Sequence, residues 1–337
     1  MNPPTTPASD TTAKNQIRFS STSFPNGWFR VANSEEVRPK EVKPLHYFGK
    51  DFVLFRTESG KPYVFDAHCP HLGAHLGYGG KVKGENIQCP FHGWCFDAGG
   101  QCNQIPYATK IPPKAQIQTW QVREINGMIL VYYHARQEAP TWEIPVLKKY
   151  QSREWTPLRF GRRRKIRSHP QEIFENGMDI IHSLVVHPQQ TDRIKAQELK
   201  IDNSVLTISL DRTYNLFLAA KMLGQKIRGA DEITLHGLGV AVNRVLVEPM
   251  GFEYFYLFTV TPIDAEHIEI QSFLSMKKVY NPLATEFLVR KALKEGTKVI
   301  DRDIPIWENK AYSSNPLLSE GDGPIARYRL WASQFYQ

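Results

Sequence analysis

An α+β chain in two parts is what the sequence predicts: a small all-β unit, then a larger unit of sheet and helix. Three observations carry this. Short β-prone runs broken by turn residues occupy 45–66, and another follows a turn signal at 129–133. Further strand-like runs follow at 204–214, 244–247, 253–262 and 267–277. One long helical pattern then covers 281–310, and strands segregated from helix in this way mark the α+β class.

Taken in order, Met1–Ser20 is rich in Pro, Thr and Ser and reads as a flexible tail. It lacks the apolar core of a secretory signal. No run in the chain approaches the roughly 20 apolar residues of a membrane span. Residues 21–140 hold the all-β unit: Leu45–Phe48, Asp51–Phe55 and Lys61–Phe65 are short strands. Asn126-Gly127 is a hairpin signal leading into Ile129–Tyr133. Pro140 to Pro145 marks the boundary, which leaves 141–337 for a second unit with its own core. Within it, Leu216–Leu223 and Leu235–Val242 are apolar runs suited to a core or to a pocket for a flat hydrocarbon. No internal repeat is present.

The net charge is +8, and Arg162-Arg163-Arg164-Lys165-Ile166-Arg167 is a basic run. Such a run attracts an acidic electron donor or guards a strand edge; the edge is the simpler reading. Nucleic acid is not expected as a partner, because no base-stacking or groove-reading motif accompanies it. Four cysteines give no disulfide framework, and a reducing cytoplasm is the expected setting.

The chemistry lies in two motifs. Cys69-Pro70-His71 and Cys89-Pro90-Phe91-His92 pair thiolates with imidazoles at a spacing that fits a Rieske [2Fe–2S] cluster. Structural zinc favours C-x(2–4)-C with H-x(3–5)-H instead. An all-cysteine cluster would need Cys95 and Cys102, whose spacing does not match. Those two read as small buried hydrophobes. The second motif is Glu175-Asn176-Gly177-Met178-Asp179-Ile180-Ile181-His182, then His187-Pro188. Two histidines plus a carboxylate from elsewhere form the facial triad of non-haem Fe(II) oxygenases. Five residues turn an ideal helix by about 140°, so His182 and His187 face one ion only if the helix bends or ends between them. Helix-end packing is the competing reading of these histidines.

Together with Phe24–Phe29, Ile105–Ala108 and the ending Trp331–Tyr336, these motifs resemble the Rieske non-haem iron oxygenases. They are most similar to the sterol-acting branch of cholesterol 7-desaturases and 3-ketosteroid 9α-hydroxylase oxygenase components. The resemblance spans residues 20–337 and is thin over 195–300. It implies a helix-grip catalytic domain, an antiparallel sheet with helices on one side. It implies a ferrous ion held by His182, His187 and Asp303, with Asp301 as the alternative carboxylate. Asp179 is then the bridge to a cluster histidine, His92, of a neighbouring copy in a head-to-tail homotrimer. O2 is the co-substrate. Electrons come from NAD(P)H through a separate ferredoxin reductase or flavin/iron–sulfur reductase, since Gly237-Leu238-Gly239 completes no dinucleotide fingerprint. The implied substrate is a sterol or steroid-like molecule, hydroxylated or desaturated at an unactivated C–H. An aromatic ether or alkaloid is the alternative substrate, and a non-enzymatic electron carrier the remote alternative.

Overall fold

The computed structural model describes residues 23–188, 191–214, 227–248 and 251–336. The expected tail Met1–Ser20 and the apolar run Leu216–Leu223 lie outside them. The N-terminal part is all-β. It contains β1 (Gly27–Asn33), β2 (Val42–Tyr47), β3 (Lys50–Arg56), β4 (Pro62–Asp66), β5 (Lys81–Lys83), β6 (Asn86–Gln88), β7 (Cys95–Phe96), β8 (Cys102–Gln104), β9 (Val122–Ile125) and β10 (Met128–Tyr133). They form three small antiparallel sheets, β1-β10-β9, β2-β3-β4 and β5-β6-β7-β8. The expected hairpin is present: Ile125 pairs with Met128, so Asn126 and Gly127 alone make the turn, at φ 53° and 71°. Both angles are left-handed, which Asn and Gly tolerate better than other residues.

The C-terminal part is built on β11 (Arg159–Phe160), β12 (Arg164–Arg167), β13 (Thr191–Asp202), β14 (Val205–Tyr214), β15 (Ile227–His236), β16 (Val240–Glu248), β17 (Phe252–Pro262) and β18 (His267–Met276). They make one eight-stranded sheet in the order β11-β18-β17-β16-β15-β14-β13, with β12 also on β18. All its pairings are antiparallel. Two short helices, α1 (Pro170–Glu175) and α2 (Ile180–Val185), precede β13; α3 (Pro282–Asn309) and α4 (Ile325–Ser333) follow β18. The long helix starts where the sequence places it. Asn281 caps it by accepting from the Leu283 and Ala284 amides, and Pro282 occupies the first turn, where its missing N–H costs nothing. Among the described residues no helix is long and apolar enough to cross a membrane.

Register sets the functional face of the sheet. Leu206, Leu235, Ala241 and Phe258 lie side by side across β14 to β17, and so do Ile208, Ile233, Asn243 and Tyr256. The next row is Leu210, Asp231, Val245 and Tyr254. Rows on one face are two residues, or about 6.7 Å, apart. Helix α3 covers this face: Leu288 and Ala292 pack toward Tyr254 and Tyr256, and Ile300 and Trp307 toward Leu206 and Leu235.

The two parts share a sealed seam. Trp28 of β1 is fully buried and clusters with Val240, Leu257 and Phe273. Gly239 passes so close to the Trp28 carbonyl that any Cβ would collide with it. Arg30, also fully buried, ion-pairs with Glu269 and donates through Nε to Thr259 Oγ1 at 3.1 Å. Tyr47 donates to the same Glu269 oxygen at 3.0 Å. Arg30→Ala strands that carboxylate at the seam, so a loss of about 3 kcal/mol in chemical denaturation is expected.

The basic run lies on the strand edge. Arg163 pairs with Glu36, Arg164 with Asp301 at 2.8 Å and Arg167 with Glu266 at 3.0 Å. Much of its charge is therefore satisfied within the chain.

Candidate metal centres and substrate cavity

Two loops of matching construction form the first centre. The amide of Gly73 returns to the Cys69 carbonyl at 2.9 Å, and that of Gly93 to the Cys89 carbonyl at 3.2 Å. The Cys69 amide donates to Ala74 O at 2.9 Å and the Cys89 amide to Trp94 O at 2.8 Å. Each loop needs a left-handed residue at its tip, and Gly73 and Gly93 supply it at φ 74° and 73°. The loops bring both cysteines into one buried cluster and set the His71 and His92 rings 4.7 Å apart. Trp94 stacks on His71 at 4.6 Å and donates from Nε1 to Tyr107 Oη at 2.9 Å, which holds the imidazole in place.

These residues fit the cluster. His71 Nδ1 is buried with no hydrogen-bond partner among the described residues, as a nitrogen reserved for a metal would be. Burial pushes the Cys69 thiol up to about 11, and the adjacent Cys89 adds to the rise. Two crowded sulfurs of this kind become thiolates readily only against a cation. Cys95 and Cys102 are buried free thiols, as expected of small apolar residues.

The second centre lies at the end of the sheet. His182 Nε2 and His187 Nε2 are 3.2 Å apart, and they lie 3.0 and 2.9 Å from Asp303 Oδ1. An octahedral ion with bonds of about 2.1 Å has adjacent ligand atoms about 3.0 Å apart, so the three atoms match one face of such an ion. Burial opposes ionisation of Asp303, but the two imidazoles outweigh it and hold its carboxyl below the usual range. No other group of three His, Cys, Asp or Glu side chains among the described residues converges in this way.

The local fold explains how these ligands meet. Helix α1 stops at Glu175, α2 runs only from Ile180 to Val185, and His187 follows outside any helix or strand. The ending expected between the two histidines is therefore present. Asp179 stands just before the helix that carries His182. It is the N-cap of α2, and its Oδ1 accepts from the His182 amide at 2.9 Å. Asn176, in the gap between the helices, reaches His182 Nε2 at 3.0 Å. The alternative carboxylate, Asp301, points away from the site and is half-exposed against Arg164.

A cavity of about 360 Å³ opens from the triad between the sheet and α3. Ile233, Ala241, Phe258 and Val299 give it apolar walls. Farther along it lies a charged pair, Arg212 and Asp231, at 2.7 Å. Of the Leu235–Val242 run, Leu235 and Ala241 line the cavity. Its glycines make no space there: Gly237 turns the chain at φ 58°, and Gly239 belongs to the seam. Gly296 of α3 does shape the cavity, because a Cβ there would collide with the Tyr256 hydroxyl. Gly296→Val should push that ring into the cavity and raise KM for a bulky substrate at least about tenfold, an overpacking effect read by steady-state kinetics.

Comparison with known proteins agrees with this arrangement. Residues 27–121 match the Rieske [2Fe-2S] domain family, and residues 131–336 match the family described as the 3-ketosteroid 9α-hydroxylase C-terminal domain. A cholesterol 7-desaturase of Ciona intestinalis is 32% identical over 93% of this chain and 69% of its own length. The oxygenase component of a 3-ketosteroid-9α-monooxygenase of Rhodococcus rhodochrous is 28% identical over 94% of this chain and 84% of its own. Among solved structures, NdmA of Pseudomonas putida CBB5 with caffeine superposes at TM-score 0.77 and 17% identity, covering 91% of this chain and 89% of that one.

Proposed function

The chain belongs to the Rieske non-haem iron oxygenases related to cholesterol 7-desaturases and 3-ketosteroid 9α-hydroxylases, and from that premise we propose that it oxidises an unactivated C–H of a sterol or steroid. The observation that carries this reading is the triad in the wall of a mainly apolar cavity. When bound, the [2Fe–2S] cluster relays single electrons from an external reductase and the ferrous ion activates O2 toward the substrate.

The protein's own groups do the rest. Cys69, Cys89, His71 and His92 hold the cluster, with Trp94 fixing one imidazole. His182, His187 and Asp303 would hold the iron at the point where they line the cavity. The apolar walls exclude water and keep a hydrocarbon body near the triad.

Asp179 is assigned to the link between centres, accepting from the outer N–H of His92 in a neighbouring copy, in the way a carboxylate supports a metal-bound imidazole. Two exposed apolar patches support a head-to-tail assembly. Leu72 and Phe91 in the cluster loops and Tyr107 nearby are each more than 60% exposed, and Ile181 and Val185, both on the helix that carries His182, are 39% and 70% exposed. The first patch on one copy is suited to the second on the next, a head-to-tail contact that gives a ring where its rotation closes.

A second reading, a demethylase of aromatic ethers or alkaloids, draws support from Asn243 and the Arg212–Asp231 pair, which interrupt the apolar lining. Mass spectrometry of products separates the two. Iron- and cluster-reconstituted protein, NADH and a surrogate reductase are supplied with sterols, ketosteroids, methoxyarenes and N-methylxanthines. A steroid product gaining one oxygen or losing two hydrogens is expected. Turnover confined to the methylated arenes would establish the second reading instead.

A further inference from the structure

Asn243 serves neither the sheet nor the core. It sits mid-strand in β16, where asparagine is disfavoured, on the face that Ala241 and Val245 share. Its strand is paired on both sides, so the ladder does not need its side chain. The amide oxygen is buried and has no hydrogen-bond partner among the described residues, yet the residue lines the cavity. An acceptor left without a donor is costly, and in a ligand site it marks the place of a group that arrives with the ligand.

Asn243 also lies close to the chemistry. It pairs across the sheet with Ile233, one strand or about 5 Å away, and Ile233 lies against Gly177 between the two iron-site helices.

We propose that Asn243 is a specificity-determining residue whose amide oxygen accepts from an O–H or N–H of the substrate, so that the cavity selects a hydroxyl-bearing hydrocarbon over its keto or methylated counterpart. This rests on the cavity being the substrate site. A ligand donor here orients the molecule about its long axis and decides which C–H faces the triad. A carbonyl or ether brings no hydrogen and would leave the Asn243 oxygen without a donor. The site is built to reward one hydrogen, and that requirement is sharper than any apolar wall imposes.

Binding, not turnover, tests it. Quenching of tryptophan fluorescence, with Trp307 in the cavity wall, is titrated with cholesterol, cholesterol 3-methyl ether and 4-cholesten-3-one. A smaller pair, 2-naphthol and 2-methoxynaphthalene, is run beside them. Wild type should bind the hydroxylated member of a series about tenfold more tightly, the worth of one hydrogen bond. Asn243→Leu should bring that ratio to about one by weakening only the hydroxylated ligand. Its unchanged affinity for the methyl ether reports an intact fold. Asn243→Asp, which keeps the acceptor, should preserve the preference; Asn243→Ala, which removes it with less crowding, should abolish the preference and decides the matter if the leucine variant fails to fold.

Equal affinities in wild type, or a ratio that survives in Asn243→Leu, would overturn the proposal. If no sterol binds but 2-naphthol is preferred and loses its preference in Asn243→Leu, the role of Asn243 stands and the sterol reading falls.

Discussion

Asp303→Ala is expected to yield folded protein that retains the [2Fe–2S] cluster and loses its mononuclear iron. Iron content should drop from about three to about two atoms per chain, by the ligand counts of the two centres. Turnover should fall to background while the visible spectrum of the cluster stays. The reason is geometric: among the described residues, Asp303 supplies the one carboxylate oxygen that meets His182 and His187. Asp301→Ala is the matched control, two residues away. It removes a surface ion pair with Arg164, worth about 0–1 kcal/mol, and should keep both metals. Iron retained in the first variant and lost in the second would reverse the assignment.

The second large effect belongs to Asp179. Asp179→Asn should leave both metals bound and lower turnover about a hundredfold, the upper range for losing a carboxylate behind a metal-bound histidine. Asparagine caps a helix as well as aspartate does, so α2 should stay in place with its contact to the His182 amide intact. Asp179→Ala should add a stability loss of about 1 kcal/mol from the missing cap. Stopped-flow mixing of cluster-reduced protein with O2 and substrate separates the two roles. In the asparagine variant the cluster should stay reduced through many wild-type turnovers. Full activity with normal reoxidation would leave Asp179 a helix cap and nothing more.

Much of this was legible in the residues, for physical reasons. The cluster loops and the two histidines are close in sequence, so their spacing alone reports the chemistry. Asn126-Gly127 and Asn281-Pro282 are local signals that need no tertiary context, and both the hairpin and the long helix appear where they point. Strands β13 and β15 were not read. The first carries Lys195, Glu198 and Lys200, and the second carries Gly229, Asp231 and Glu232, which blunt the β signal. Their identity as strands comes from long-range pairing.

Choosing Asp303 over Asp301 needed the family pattern, because both are aspartates on one helical run and only packing decides which faces inward. The Asp179 cap was missed because the motif was read as one helix. Asn243 sits directly after the apolar run that ends in Val242, so it falls outside the hydrophobic signal. A polar residue on the inward face of an alternating strand was the available signal.

The buried joint at Trp28, Arg30 and Gly239 bears on how such enzymes can be recombined. Joining this chain's cluster-bearing half to the oxidising half of a relative would part Trp28 and Arg30 from the Gly239 and Glu269 that receive them here. Workable hybrids should therefore exchange both banks of the joint at once, treating Trp28, Arg30, Gly239 and Glu269 as one cassette. A cut made only along the intervening connector would leave mismatched surfaces, and such a graft should aggregate however well each half suits its metal.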